Sequence, residues 1–165
     1  MSNADTRAAT TVRAVAPVHA AVDVAVPPAK AFEVFTQRMS DWWPVEYAMV
    51  PTPRAVVIEP RKGGRWYEHG ADGSERLVAT VTTWDPPTRI AFDWHIDGAW
   101  QSNPKLATAV DVRFTPTGNG TRVSLEHRNL ERFGEQAEAT REGLAGKGGW
   151  GDLLQGFAQA TAAKR

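Results

Sequence analysis

Period-two alternation of apolar and polar residues, in runs cut short by turn residues, is the feature that most narrows what this chain can fold into. Val18, Ala20, Val22, Val24 and Val26 alternate with His19, Ala21, Asp23 and Ala25, and Ile90, Phe92, Trp94 and Ile96 alternate with Ala91, Asp93 and His95. Val110, Val112 and Phe114 repeat the pattern, as do Val123 and Leu125. Successive side chains of a strand point to opposite faces, so each run buries one face. With the first run, segments 54–59, 64–69, 75–84, 89–96, 107–115 and 121–127 predict seven strands. Asp72-Gly73 and Asn119-Gly120 are pairs that supply positive φ in hairpin turns, and Asp85-Pro86-Pro87 cannot continue a ladder. One-sided strands joined by hairpins form an antiparallel sheet, not a parallel α/β core.

Two stretches have the helical period instead. Pro28 suits a first helical turn, and Ala31, Phe32 and Phe35 then form one stripe. A second short helix is expected at Ser40-Asp41-Trp42-Trp43, with Ser40 as N-cap and Pro44 as its end. From Glu131 the period is helical again, through Phe133, Ala137 and Leu144, until Gly143, Gly146, Gly148 and Gly149 interrupt it. Trp150, Leu153, Leu154 and Phe157 follow at i, i+3, i+4 and i+7, the single apolar face of a final helix. The glycines read as the boundary between two helices. Residues 1–17 have neither period nor the apolar stretch of a signal peptide, and are expected to be a disordered tail before one domain at 18–165.

Composition removes several function classes. Nineteen Lys and Arg balance nineteen Asp and Glu, so no net field draws in nucleic acid or an anionic membrane. Cysteine is absent, which excludes disulfides, thiol nucleophiles and Cys-ligated metals and agrees with a cytoplasmic location. No apolar run is long enough to span a bilayer. The four histidines, His19, His69, His95 and His127, lack metal-ligand spacing, so neither metal nor cofactor is expected. No Gly-x-Ser-x-Gly occurs, and Gly63-Gly64 precedes a strand where a dinucleotide fingerprint would precede a helix.

Two polar residues invite a role. His127 shares parity with Leu125 and Val123; the plain expectation is a ring at the sheet rim satisfied by water, the sharper one an acid/base group at a cavity's end. Glu68 shares parity with Trp66, and if it points inward a structural ion pair with Arg or His is expected, acid/base duty being the alternative. Arg113 has outward parity, and His19 reads as solvated. Seven of the fifteen aromatics are Trp, and Trp42, Trp43, Trp66, Trp94, Trp100 and Trp150 either line a pocket or fill a core.

The order strand, two helices, six strands, long C-terminal helix resembles the START/SRPBCC superfamily, the helix-grip fold of the birch-pollen-allergen type. Pro27-Pro28-Ala29-Lys30-Ala31-Phe32, Asp41-Trp42-Trp43-Pro44, Gly63-Gly64-Arg65-Trp66-Tyr67-Glu68, Trp84-Asp85-Pro86-Pro87, Ile90-Ala91-Phe92-Asp93-Trp94, Gly120-Thr121-Arg122-Val123-Ser124-Leu125-Glu126-His127 and Gly149-Trp150 are similar to its branch of activators of heat-shock-protein-90 ATPase homologues. The resemblance implies an α+β helix grip: a seven-stranded curved antiparallel sheet wrapped around the C-terminal helix, with two short helices after the first strand. It also implies an apolar cavity between sheet and helix. The residues expected there are Trp42, Trp43, Trp66, Glu68, Phe92, Trp94, Val110, Val112, Leu125, His127, Phe133, Trp150, Leu154 and Phe157. The functional expectation is binding of a hydrophobic or aromatic small molecule, lipid or polyketide-like, without assigned catalysis. The alternatives are a cyclase or aromatase using His127 or Glu68, and a cochaperone-like interaction module; homodimerisation is left open.

Overall fold

A computed structural model describes residues 14–163. The elements run β1 (Val18–Val24), α1 (Pro28–Gln37), two 3-10 turns (Met39–Asp41 and Val45–Tyr47), β2 (Pro53–Ile58), β3 (Arg65–Gly70), β4 (Glu75–Asp85), β5 (Arg89–Trp94), β6 (Thr108–Thr117), β7 (Gly120–Arg128), a 3-10 segment (Leu130–Gln136), α2 (Ala137–Ala145) and α3 (Trp150–Ala162). Seven strands form one antiparallel sheet in the order β1-β7-β6-β5-β4-β3-β2, so β1 swings across to pair with the last strand while all other neighbours are consecutive. From β2 to β7 the order follows from period-two patterning and chain order, since each of these strands pairs with the next one along the chain.

The sheet buries one face beneath α1 and α3. The stripe Trp150, Leu153, Leu154 and Phe157 is buried along its length, and Phe157 meets Phe35 of α1 at 5.4 Å between ring centres. Phe35 also meets Trp42 and Phe114, which ties α1, the following turn and β6 into one core. Arg113 points outward beside Asp111, as its parity requires. His19 is exposed too, with Glu126 as partner at 3.2 Å.

Several local expectations need correction. Ser40 does not cap a helix: Met39–Asp41 is a 3-10 turn entered from Arg38, and the Ser40 hydroxyl instead reaches Val56, accepting from its N–H at 2.9 Å and donating to its carbonyl at 3.2 Å. Strand β2 lies at the sheet edge with unpaired backbone groups, and the hydroxyl covers two of them. Gly73 does turn with φ +88°, but Gly118, Asn119 and Gly120 join β6 to β7 without a positive φ. The ladder there closes directly from Thr117 to Gly120. Two bulges, between Trp66 and Tyr67 and between Val81 and Thr83, break strict parity in β3–β5, so that Val78 and Ala79 are both buried.

The glycine cluster divides α2 from α3. Gly148 has φ +81°, a left-handed conformation that only glycine adopts without strain, and Gly149 serves as the N-cap of α3. Of the tail assigned to 1–17, residues 1–13 lie outside the described residues; the carbonyls of Ala16 and Pro17 accept hydrogen bonds from Arg141 of α2.

Candidate functional site

A cavity of about 610 Å³ opens between the β3–β5 part of the sheet and the start of α3. Its walls come from four places: Glu68, Val78 and Trp94 on the sheet; Trp43 and Glu46–Met49 from the turns after α1; Ile96, Trp100 and Gln101 from the segment after β5; and Gly143, Leu144, Lys147–Gly149, Trp150 and Leu153 from the helical side. The lining is mainly apolar with a few polar groups, the composition of a small-molecule pocket.

Tryptophan dominates the wall. Trp43 and Trp66 meet edge-to-face at 5.1 Å, Trp66 and Trp94 at 5.5 Å, Trp94 and Trp150 at 5.2 Å, and Trp150 returns to Trp43 at 6.2 Å. These four indoles form a closed ring. Trp43, Trp94 and Trp150 present surface to the cavity, whereas Trp66 is sealed behind them. Edge-to-face contacts match the positive edge of one ring to the negative face of the next and fix the wall's shape. The indole N–H groups of Trp66 and Trp94 are buried without a hydrogen-bond partner. That of Trp42 donates to the Val34 carbonyl at 3.1 Å.

The indole of Trp150 is held from behind by His127, whose Nδ1 accepts its N–H at 3.0 Å. With Nδ1 accepting, the single proton of the neutral ring sits on Nε2 and is donated to Thr108 Oγ1 at 2.8 Å. The expectation of a water-satisfied ring at the rim is therefore corrected: His127 is fully buried and both nitrogens bond to protein. Strand β7 runs on to Arg128, and Phe133 of the 3-10 segment that follows packs against the His127 ring at 6.4 Å, so the ring is covered. Burial pushes its pKa down to about 3. The imidazole is neutral near pH 7 and lies outside the cavity lining.

Glu68 is the buried carboxyl of the cavity wall, 3% exposed. The expected ion pair is not what holds it. Oε1 accepts the backbone N–H groups of Met49, at 2.6 Å, and Val50, at 3.2 Å, while its cross-strand neighbour Arg76 stays exposed. The donors belong to the segment after the second 3-10 turn, which folds over β3. Desolvation raises the Glu68 pKa, and the two amides and the charge of Arg76 oppose that rise.

Trp43, Glu68, Trp94 and Trp150 are thus the residues expected in the cavity that the structure brings together on it, and Trp100, read from sequence only as pocket or core, joins them. Trp42, Trp66, Phe92, Val110, Val112, Leu125, His127, Phe133, Leu154 and Phe157 are buried in the packed interior around it, with no surface on the cavity. The mouth was harder to foresee. Trp100 is 48% exposed, has φ +62°, and lays its ring against Gly143, where an added Cβ would come within 3.1 Å. Opposite it, the Tyr47 hydroxyl donates to the Gly148 carbonyl at 2.7 Å and bridges the 3-10 turn to the α2–α3 junction. An Asp97 side chain that accepts the N–H groups of Ala99 and Gln101 shapes the Trp100 loop, and Asp97-Gly98 is the local signal for such a turn. Among the described residues no group of three or more His, Asp or Glu side chains stands together as a metal site requires, and no helix is long and apolar enough to cross a membrane.

Comparison with known families settles the lineage of this fold. The family described as Activator of Hsp90 ATPase homolog 1-like protein matches residues 25–162. The chain belongs to that family. Among solved structures it is similar to an anthrahydroquino-gama-pyrone synthase, Txn09, complexed with SUM: 40% identity over 88% of this chain and 97% of that one, with a TM-score of 0.62. It is also similar to CalC, a self-sacrificing resistance protein from Micromonospora echinospora, at 27% identity, 90% and 97% coverage and a TM-score of 0.66. NE0264 from Nitrosomonas europaea, 16% identical with a TM-score of 0.64 over 88% of this chain and 94% of its own, shares the fold alone. No curated protein matches the chain. Membership of the family places the protein in the SRPBCC ligand-binding fold.

Proposed function

We propose that this protein binds a flat, polycyclic aromatic small molecule of the polyketide kind in the indole-walled cavity. The observation that carries the reading is the wall itself: Trp150, edge-to-face with Trp94 and tilted against Trp43, sets three indoles around a space of about 610 Å³. That volume lies within the range for drug-sized ligands, roughly 300–1,000 Å³. Rigid indole surfaces reward a flat partner, because stacking adds to simple area burial and no rotamer freedom is lost on binding. A flexible acyl chain would bury similar area but lose its own conformational entropy. The similarity to Txn09, whose name describes synthesis of a fused aromatic pyrone, supports the same class of ligand.

The test is a tryptophan-fluorescence titration with 1,8-dihydroxyanthraquinone, alongside a fatty acid with the same number of heavy atoms. Saturable quenching by the quinone at lower concentration than by the fatty acid is the expected result. Absence of saturable quenching by any three-ring aromatic, or preference for the acyl chain, would overturn the proposal.

A further inference from the structure

We propose that Glu68 is the acid–base group of this cavity, and that the protein catalyses proton transfer at a carbon next to a carbonyl of the aromatic molecule it holds. The inference rests on the binding reading above. Its starting point is a division of labour between the two oxygens of one carboxyl. Oε1 is occupied twice, by the N–H groups of Met49 and Val50. Oε2 accepts no hydrogen bond from the described residues and is not sealed off: in a side chain that is otherwise almost completely buried, it keeps accessible surface, and the side chain forms part of the cavity wall. One oxygen is thus fixed by the backbone while the other is left free to take a proton from a bound molecule or to give one back.

A structural account of Glu68 is incomplete. Pinning the segment after Val45–Tyr47 needs only an acceptor for two N–H groups, and an amide carbonyl would supply that without the desolvation penalty of a charge. A carboxyl here breaks a rule of local consistency, which is where functional groups tend to be found. Desolvation leaves the group with a raised pKa, in the direction that suits a side chain that must both take and return a proton near neutrality.

The other charged and titratable groups around it do not compete for the task. Arg76 on β4 and Arg54 on β2 are exposed, Glu46 and Lys147 stand at the open mouth, and the Tyr47 hydroxyl is engaged by Gly148. His127 has both ring nitrogens committed and no surface on the cavity. Among the described residues Glu68 is left as the one buried group on the wall that can exchange a proton with a bound molecule.

The step balances without an oxidant, a reductant or a metal. The carboxylate removes a proton from the carbon beside a carbonyl, and the C–H electron pair moves to form a carbon–carbon double bond as the carbonyl oxygen takes the negative charge. The protonated carboxyl then returns a proton to the same or a conjugated carbon. In D₂O the carboxyl exchanges with solvent in between, so the returning atom is deuterium.

The probe is 2-tetralone, a flat aromatic ketone with acidic hydrogens at C1, and the readout is loss of their NMR signal in D₂O. Wild-type protein should accelerate that exchange about 10²-fold or more over Glu68→Gln, in line with positioned general-base catalysis. The amide keeps an acceptor for Met49 and Val50, so Glu68→Gln should quench with 2-tetralone as the wild type does. Equal exchange rates in two proteins that bind the ketone equally would overturn the assignment and leave the binding reading intact. Failure of 2-tetralone and of the quinone to quench the wild type would instead overturn the binding reading, and this inference with it. A measurement on the wild type alone guards against a variant that does not fold. Saturating 1,8-dihydroxyanthraquinone should return the exchange rate to that of buffer, and acceleration that persists would place the activity outside the cavity.

Discussion

The buried imidazole of His127 makes stability depend on pH in a way that can be worked out in advance. Its pKa falls from 6.5 in the unfolded chain to about 3 in the folded one, because desolvation penalises the cation. Between those values the unfolded state binds a proton that the native state refuses, so stability is fully present above pH 6.5 and is lost as pH falls towards 3. At 1.36 kcal/mol per pKa unit the whole linkage is worth about 5 kcal/mol, of which about 3 kcal/mol is lost between pH 7 and pH 4.5. That is a large part of the roughly 5–15 kcal/mol typical of a domain. The clean comparison is His127→Gln, whose amide can accept from the Trp150 N–H and donate to Thr108 but does not titrate. Urea unfolding at pH 7, 6, 5 and 4.5 should show the wild type losing about 3 kcal/mol more than the variant over that range, since all other titrating groups are common to both. Parallel curves, or an imidazole resonance for His127 that titrates near 6.5, would show that the ring is not desolvated as described.

Glu68 has the opposite sign. Its raised pKa makes the ionised form unfavourable in the fold, so wild-type stability should decline relative to Glu68→Gln as pH rises through the folded pKa, as thermal midpoints from pH 5 to pH 8 will show. Trp150→Ala should lower stability by about 3–5 kcal/mol in denaturant titrations, since it opens the core and strips His127 Nδ1 of its donor. Gly143→Ala adds a Cβ that meets the Trp100 ring at 3.1 Å within a helix. It should leave the thermal midpoint unchanged or raised while shifting Trp100 emission and weakening quinone binding; a midpoint that drops sharply would contradict the placement of Trp100. Trp100→Gly removes a half-exposed ring from a left-handed backbone that disfavours it by about 1–2 kcal/mol. Denaturant unfolding should therefore show little net loss, and titration should show weaker affinity for flat aromatics.

Much of the fold was legible in the sequence because its signals are local. Alternation in β1, β5, β6 and β7 marks strands whatever lies across from them, and Trp150, Leu153, Leu154 and Phe157 mark a buried helical stripe without reference to the sheet. The cavity was legible only in part, because its walls are set by non-local geometry. Parity cannot register the bulges at Trp66/Tyr67 and Val81/Thr83, which decide what β3 to β5 present inward. Nor does a sequence tell which of several indoles on one face is covered by another, as Trp66 is covered by Trp43 and Trp94. Glu68 was visible as an inward carboxyl, but its amide donors come from Met49 and Val50, 19 and 18 residues earlier, in a segment with no periodic pattern. His127 shows the limit from the other side. Its parity was right, yet the depth of its burial depends on the 3-10 segment that follows β7 and on Trp150 from α3.

The closed ring of Trp43, Trp66, Trp94 and Trp150 has an optical consequence. At centre-to-centre distances of 5.1–6.2 Å the transition dipoles of neighbouring indoles couple, so light absorbed by one ring is shared among all four. The near-ultraviolet circular dichroism of this protein should carry the signed bands of coupled chromophores instead of the sum of isolated ones. Excitation that migrates around the ring can be drained at any single member, so a quencher seated against Trp150 darkens Trp43 and the buried Trp66 as well. Emission from the ring therefore counts bound molecules but cannot say which indole they touch.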